Sequence, residues 1–308
     1  MGSAICGCLR LCYHIGGCQL PSPRVRKGIG PTAGKMASKF WKGMYFRMSS
    51  ARIWEKMTVR EIREALQQTQ TVLVPLGVTE QHGYHLTTDT DSRTAFELCR
   101  RASEATGALV APTVAYSFSG GELPGTINID YHLVSLMVTE IIRALCANGL
   151  KSIVLVLGHG GSENDRATQE GAEMFYRQHP QYADRNIAVF RFWQGSELCR
   201  QAFADGDYHA GYYETSMMMY WAPNDVRPGE PPLDEAELVS LMRENPDNYQ
   251  LKTRAVDFPG VVAKVSQRPD IKVGVMGDPS RASVELGRKI AEEGTTGLVE
   301  LIEALEQG

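Results

Sequence analysis

The sequence predicts an α/β fold, a three-layer α/β/α sandwich with a mainly parallel sheet, and three observations predict it. From Thr58 onward, short apolar runs of strand length alternate with amphipathic stretches of helix length. The clearest run, Ser152–Leu157 (SIVLVL), is apolar at every position from Ile153 to Leu157. A half-exposed strand would alternate; an unbroken run suits a parallel strand covered on both faces. Polar side chains able to hold metals gather just after the strand candidates, where such sheets place their chemistry.

In chain order, Thr58 can cap a first helix through Gln68, with Ile62 and Leu66 four apart on its inner face. Val72–Leu76 reads as a buried strand, and a helix from about Ser92 to Ala105 follows. Ala108–Ala111 is the next strand. A helix from His132 to Asn148 stops at Asn148-Gly149, a C-terminal signal. After the Ser152–Leu157 strand come a helix at Asn164–Arg177, a strand at Ile187–Phe192 and a final amphipathic helix at Ala282–Glu306. Residues 224–275, rich in Pro and charge, read as a loop-rich excursion of the same domain.

The 308 residues, 43% hydrophobic and 22% charged, have the composition of a globular protein, and no apolar run reaches membrane-spanning length. Residues 1–54 hold nine Lys/Arg and no acid, so all 36 acidic residues meet 23 of the 32 basic ones in residues 55–308, a net −13. An acidic body argues against a nucleic-acid binder, which needs a basic face. Four of the seven cysteines (Cys6, Cys8, Cys12, Cys18) crowd the start in a spacing that fits no zinc site. Cys99, Cys146 and Cys199 fall within helix candidates, as buried thiols of a reducing, cytoplasmic compartment would. Residues 1–53 therefore read as a basic, cysteine-bearing leader, disordered or upstream of an internal start such as Met44 or Met48, and residues 54–308 as the catalytic domain. Residues 1–47 lack the apolar periodicity needed to join a core. A chain beginning at Met48 is expected to fold and act normally; loss of solubility or activity in it would give the leader a structural job.

Three post-strand loops concentrate ligand-type side chains. The first runs Gly77-Val78-Thr79-Glu80-Gln81-His82-Gly83, followed by His85, Asp89 and Asp91. Glu80 and His82 are two apart, so an extended loop points both to one side. Asp91 precedes the next helix and can return a carboxylate to the same point. The second loop is Gly158-His159-Gly160-Gly161-Ser162, and the third His209-Ala210-Gly211-Tyr212-Tyr213-Glu214-Thr215-Ser216. One such loop alone is weak: a lone His after a strand more often caps a helix, and Gly158–Gly161 alone equally suits an anion. Three together fit Zn²⁺, Mn²⁺ or Fe²⁺, which carboxylates and neutral imidazoles bind and a carboxylate can bridge.

The stretch from Leu76-Gly77-Val78-Thr79-Glu80-Gln81-His82-Gly83-Tyr84-His85 through Asp91 resembles the signature of the creatininase (creatinine amidohydrolase) family. Gly158-His159-Gly160-Gly161 resembles its second block and His209-Ala210-Gly211 through Glu214-Thr215-Ser216 its third. Pro124-Gly125-Thr126 and Gly274-Val275-Met276-Gly277-Asp278-Pro279 resemble its supporting motifs, so the resemblance spans about Trp54 to Glu303. It implies a three-layer sandwich assembled as a homo-oligomer, often a hexamer, acting on a small molecule with two divalent ions per chain. Glu80, Asp91 and His159 would hold one ion, His82 and Asp91 the second, with Asp91 bridging. His209 matches the proton-transfer histidine and Trp193 an aromatic residue of the substrate pocket; Gly160 is assigned beside it as a substrate contact. Creatininase itself has a Glu where this chain has Gly161, so the second ion needs another ligand. Glu163 begins a helix and matches no block, whereas Glu214 belongs to the third; Glu214 is taken as the missing ligand.

The expected reaction is cleavage of a C–N bond in a small cyclic amide or formamide by a metal-bound hydroxide, with His209 donating a proton to the leaving group. The alternative is ring-opening C–C hydrolysis of a cyclic diketone such as an inositol-derived ketone. A phosphate-binding domain using Gly158–Gly161 would leave Glu80, His82 and Asp91 unexplained and would set negative charges beside its ligand.

Overall fold

The computed structural model describes residues 51–307; the cysteine-bearing stretch 1–50 lies outside the described residues. Five parallel strands form the main sheet: β1 (Arg52–Ile53), β2 (Thr71–Leu76), β3 (Leu109–Val110), β4 (Ser152–Leu157) and β5 (Asn186–Arg191), in the order β1-β3-β2-β4-β5. The helices are α1 (Val59–Leu66), α2 (Thr90–Thr106), α3 (Tyr131–Ala147), α4 (Ser162–Gln178), α5 (Glu197–Ala204), α6 (Tyr212–Trp221), α7 (Ala236–Glu244) and α8 (Val284–Gln307).

Alternation along the strands sorts the core into two layers. Val72, Val74 and Leu76 of β2 and Ile153, Leu155 and Leu157 of β4 pack on α1, α3 and α4. Leu73, Val154, Val156 and Phe190 face the other way, onto α2, α5, α6 and α8. Each fully buried apolar side chain contributes about 1.5–3 kcal/mol, which is why the continuous apolar run of β4 can only be a central strand. The predicted three-layer sandwich is the observed one. Thr58 caps α1 through a reciprocal pair with Glu61, the Thr58 hydroxyl accepting from the Glu61 N–H while the Glu61 carboxylate accepts from the Thr58 N–H. Gly107, with φ 77°, ends α2 in the left-handed conformation that glycine adopts without strain.

The structure departs from the sequence reading in two places. Arg52 and Ile53, assigned to the leader, form the edge strand β1, in register with Leu109 and Val110; two residues have no period to detect. The Met48 start proposed above keeps this strand. Helix α5 holds Cys199, as the helix candidate there anticipated, whereas helix α7 was not expected. Residues 224–275, read as loop, contain α7 and an antiparallel hairpin of β6 (Gln250–Thr253) and β7 (Lys264–Gln267). Helix α6 begins at Tyr212 and carries Glu214 in its first turn. Among the described residues no helix is long and apolar enough to cross a membrane.

The strand order fixes where a site can form. From β2 the chain runs through α2 on one face to β3; from β4 it runs through α4 on the other face to β5. The connections leaving the adjacent strands β2 and β4 therefore diverge and leave a crevice at their carboxyl ends, the switch point where open α/β sheets bind ligands.

Candidate metal centre

Glu80 and His82 leave β2, His159 leaves β4, Asp91 is the second residue of α2 and Glu214 the third of α6. All five are buried. Two glycines let the α2 end approach the strand ends so closely. A Cβ on Gly77 would lie 2.4 Å from the Ser92 backbone, and one on Gly158 only 2.0 Å from the Asp91 carbonyl oxygen. Gly158, which alone equally suited an anion, and Gly77 make room for the first turn of α2 and thereby for Asp91.

Asp91 reaches two imidazoles. Its Oδ2 lies 3.1 Å from His159 Nδ1, and its Oδ1 lies 3.3 Å from His82 Nε2. Glu80 Oε2 stands 3.1 Å from His159 Nδ1, and Glu214 Oε2 stands 3.6 Å from His82 Nε2. The candidate ligand atoms thus form a group of Glu80, Asp91 and His159 and a second of His82, Asp91 and Glu214, each within 4.8 Å, sharing Asp91. A third group, Glu80, His82 and His209, meets the same limit.

The donor set fits divalent ions. His82 Nδ1 sits 3.1 Å from the Glu80 carbonyl oxygen, which only an N–H can satisfy, so Nε2 carries the lone pair. Glu80 Oε2, His82 Nε2 and Asp91 Oδ2 are buried without a hydrogen-bond partner. A lone pair facing carboxylates at these distances is repulsive unless a proton or a cation lies between. Burial alone would lower the His82 and His159 pKa values, but Asp91, Glu214 and Glu80 hold both well above the usual histidine range. Burial likewise works to raise Asp91, and His82 and His159 hold it well below the carboxylate range. The cluster thus draws in positive charge.

Glu214 is held by its own helix start: Oε2 accepts from the Ala210 N–H at 2.6 Å and Oε1 from the Tyr213 hydroxyl at 2.8 Å. Ala210 has φ 52°, a left-handed conformation that non-glycine residues rarely adopt. Gly161 has no room for a side chain, since a Cβ would meet His159 Nε2 at 2.3 Å. With His159 so placed, a carboxylate cannot come from position 161. Glu163 takes part in none of the three ligand groups. His209 Nε2 lies 2.8 Å from the Gln81 carbonyl oxygen, and its ring centroid lies 4.3 Å from that of His82.

The structure does not bring every expected residue to the centre. His85 turns to Thr215 Oγ1 at 2.9 Å, and Asp89 pairs with Arg93 at 3.0 Å. Gly160 lines the cavity over the cluster, about 310 Å³, but Trp193 does not. After β5 a single helical turn, Phe192–Gln194, carries the indole in among core side chains, 6.5 Å from the ring of Phe203, which does line the cavity.

Asp207 was missed. Its carboxylate accepts the N–H groups of Tyr212, Tyr213 and Asp278, each at 3.0 Å, pinning the start of α6 and the segment after Met276 around the His209 loop. Burial pushes its carboxyl up to about 6, against those bonds. Gly211 and Gly277 leave it space. The sequence signal was faint, because Asp207 caps from five residues ahead of the helix and not from the N-cap position.

Fold and cluster together define an α/β/α protein with a carboxylate–imidazole ligand cluster at the switch point of its sheet. The profile of the creatinine amidohydrolase (creatininase) family matches residues 55–302. The chain is 32% identical to the mycofactocin precursor peptide peptidase of Mycolicibacterium smegmatis over 249 residues, 75% of this chain and 83% of that protein. It is 30% identical to creatinine amidohydrolase of Pseudomonas putida over 173 residues, 50% of this chain and 65% of the relative. The solved manganese form of creatininase superposes with a TM-score of 0.64 at 23% identity, over 82% of this chain and 98% of that one. The chain belongs to the creatininase family of hydrolases.

Proposed function

We propose that the chain is a binuclear metal-dependent amidohydrolase that cleaves the C–N bond of a small cyclic amide, a formamide or a short peptide segment. The observation that carries this reading is Asp91, whose two oxygens face His82 and His159 separately, as a bridging carboxylate would. Glu80 and His159 would complete one site with Asp91, and His82 and Glu214 the other. Three carboxylates outweigh the charge of one divalent ion, whereas two ions leave a surplus positive charge. When bound, such ions draw the pKa of water toward neutrality and polarise a carbonyl.

The protein's own residues supply the rest. His82 is held in one tautomer by the Glu80 carbonyl. His209 Nε2 is taken up by Gln81, 2.8 Å from its carbonyl oxygen and 3.2 Å from its side-chain nitrogen, so Nδ1 is the nitrogen left to take up and return a proton. Burial pushes His209 below the ordinary histidine value, so the ring is neutral near pH 7 and can accept before it donates. The apolar wall at Leu123, Phe203 and Met276 keeps water away from the bond being cleaved.

The relatives named for peptide and creatinine hydrolysis match at 32% and 30% identity, against 26% over 38% of this chain for the 3-dehydro-scyllo-inosose hydrolase of Thermotoga maritima, which favours C–N cleavage over ring-opening C–C hydrolysis. Elemental analysis after supplementation with Zn²⁺ or Mn²⁺ is expected to find about two ions per chain. The same preparation should hydrolyse members of a panel of lactams, formamides and capped peptides. A chain that retains no ion would sink the reading.

A further inference from the structure

Beyond the ligand cluster, the cavity has a one-sided charge pattern. Its wall includes Leu123, Phe203, Tyr208, Tyr249, Ile271 and Met276, and among the described residues no Lys or Arg lines it. Two lining carboxylates stand outside the ligand groups, Glu163 and Asp247. Asp247 is answered by Lys252, whose Nζ lies 3.0 Å from Oδ2. Glu163 is half-buried and accepts a hydrogen bond from the Ser162 hydroxyl at 2.8 Å. No cationic side chain among the described residues pairs with it.

We propose that this cavity selects uncharged or cationic substrates with a flat apolar flank, and that Glu163 sets the selection. The proposal rests on reading the cavity as the substrate site of the hydrolase. A substrate carboxylate placed against this wall would lose water, find no side-chain cation and face a like charge. A cationic group would gain the Glu163 carboxylate and the aromatic faces of Phe203, Tyr208 and Tyr249. A peptide would therefore enter with a capped, internal or amino-terminal segment against this wall, and its free terminal carboxylate would stay outside.

Two nearly isosteric probes that offer no carboxylate to the ions isolate charge: benzamidinium and benzamide. Their binding to the zinc-supplemented protein is measured by calorimetry. Benzamidinium is expected to bind at least about tenfold more tightly than benzamide. Glu163→Gln should bring the two within about twofold of each other, with zinc content unchanged. Glu163→Lys should place benzamide ahead of benzamidinium. Equal binding of the two probes, benzamide binding tighter, or a cation preference that survives Glu163→Gln overturns the proposal. Zinc content measured on the same samples keeps the two readings apart. Protein that takes up no zinc fails the metal reading, and the effect of Glu163→Gln on the benzamidinium-to-benzamide ratio still decides the charge selection.

Discussion

Replacing His209 by Ala is expected to lower turnover by about 10²–10⁴ while both ions stay bound, the loss typical of a removed general acid–base group. Nε2 is occupied by Gln81, 2.8 Å from its carbonyl oxygen and 3.2 Å from its side-chain nitrogen, so the ring is fixed in orientation before any substrate arrives. Its place beside His82, 4.3 Å between ring centroids, sets it at the edge of the cluster, and it also lines the cavity. A rival role exists in the geometry, because Glu80, His82 and His209 also offer ligand atoms within 4.8 Å of one another. Turnover and metal content measured on the same protein separate the two roles. A variant that loses one ion together with its activity makes His209 a ligand; one that keeps two ions and loses only turnover makes it the proton carrier. Little change in either quantity removes His209 from the mechanism.

Glu214→Gln is expected to take the metal content from about two ions per chain toward one. Its Oε2 lies 3.6 Å from His82 Nε2, just beyond Asp91 Oδ1 at 3.3 Å, and with Asp91 and His82 it makes a three-ligand set, the number catalytic zinc sites usually take besides water. The glutamine keeps the side-chain length and one carbonyl acceptor for the Ala210 N–H or the Tyr213 hydroxyl, so the start of α6 should hold while the charge is lost. Glu163→Gln serves as the control, since Glu163 belongs to none of the ligand groups, and its metal content should match the unaltered chain. Elemental analysis of the two variants side by side gives the answer. The reverse pattern, with Glu163→Gln losing the ion, would transfer the ligand role to Glu163 and require the cavity side of α4 to move.

What the sequence determined by itself was whatever local periodicity and motif order encode. The unbroken apolar run Ile153–Leu157 could only be a doubly covered strand, and it is the central β4. The Thr58 cap, the α3 end at Asn148-Gly149 and the alternation of elements were legible for the same reason, since a few adjacent residues carry each signal. So were the candidate residues Glu80, His82, Asp91, His159, His209 and Glu214, because each sits in a short loop block just after a strand or before a helix. Tertiary structure alone decided how these blocks meet. Nothing local in Gly77 or Gly158 announces that the missing Cβ admits the first turn of α2, yet without that approach Asp91 could not stand between two imidazoles. The same holds for Trp193, which the family resemblance placed in the pocket and packing drew in among core side chains. Asp207 makes the point in reverse, since its N–H partners include Asp278, 71 residues further along the chain, and leave no periodic trace. The edge strand Arg52–Ile53 is too short to carry a pattern and exists because β3 offers it a free edge. A pattern in sequence reports which face of an element is buried, and the distance between two side chains on different elements depends on how closely their backbones pack.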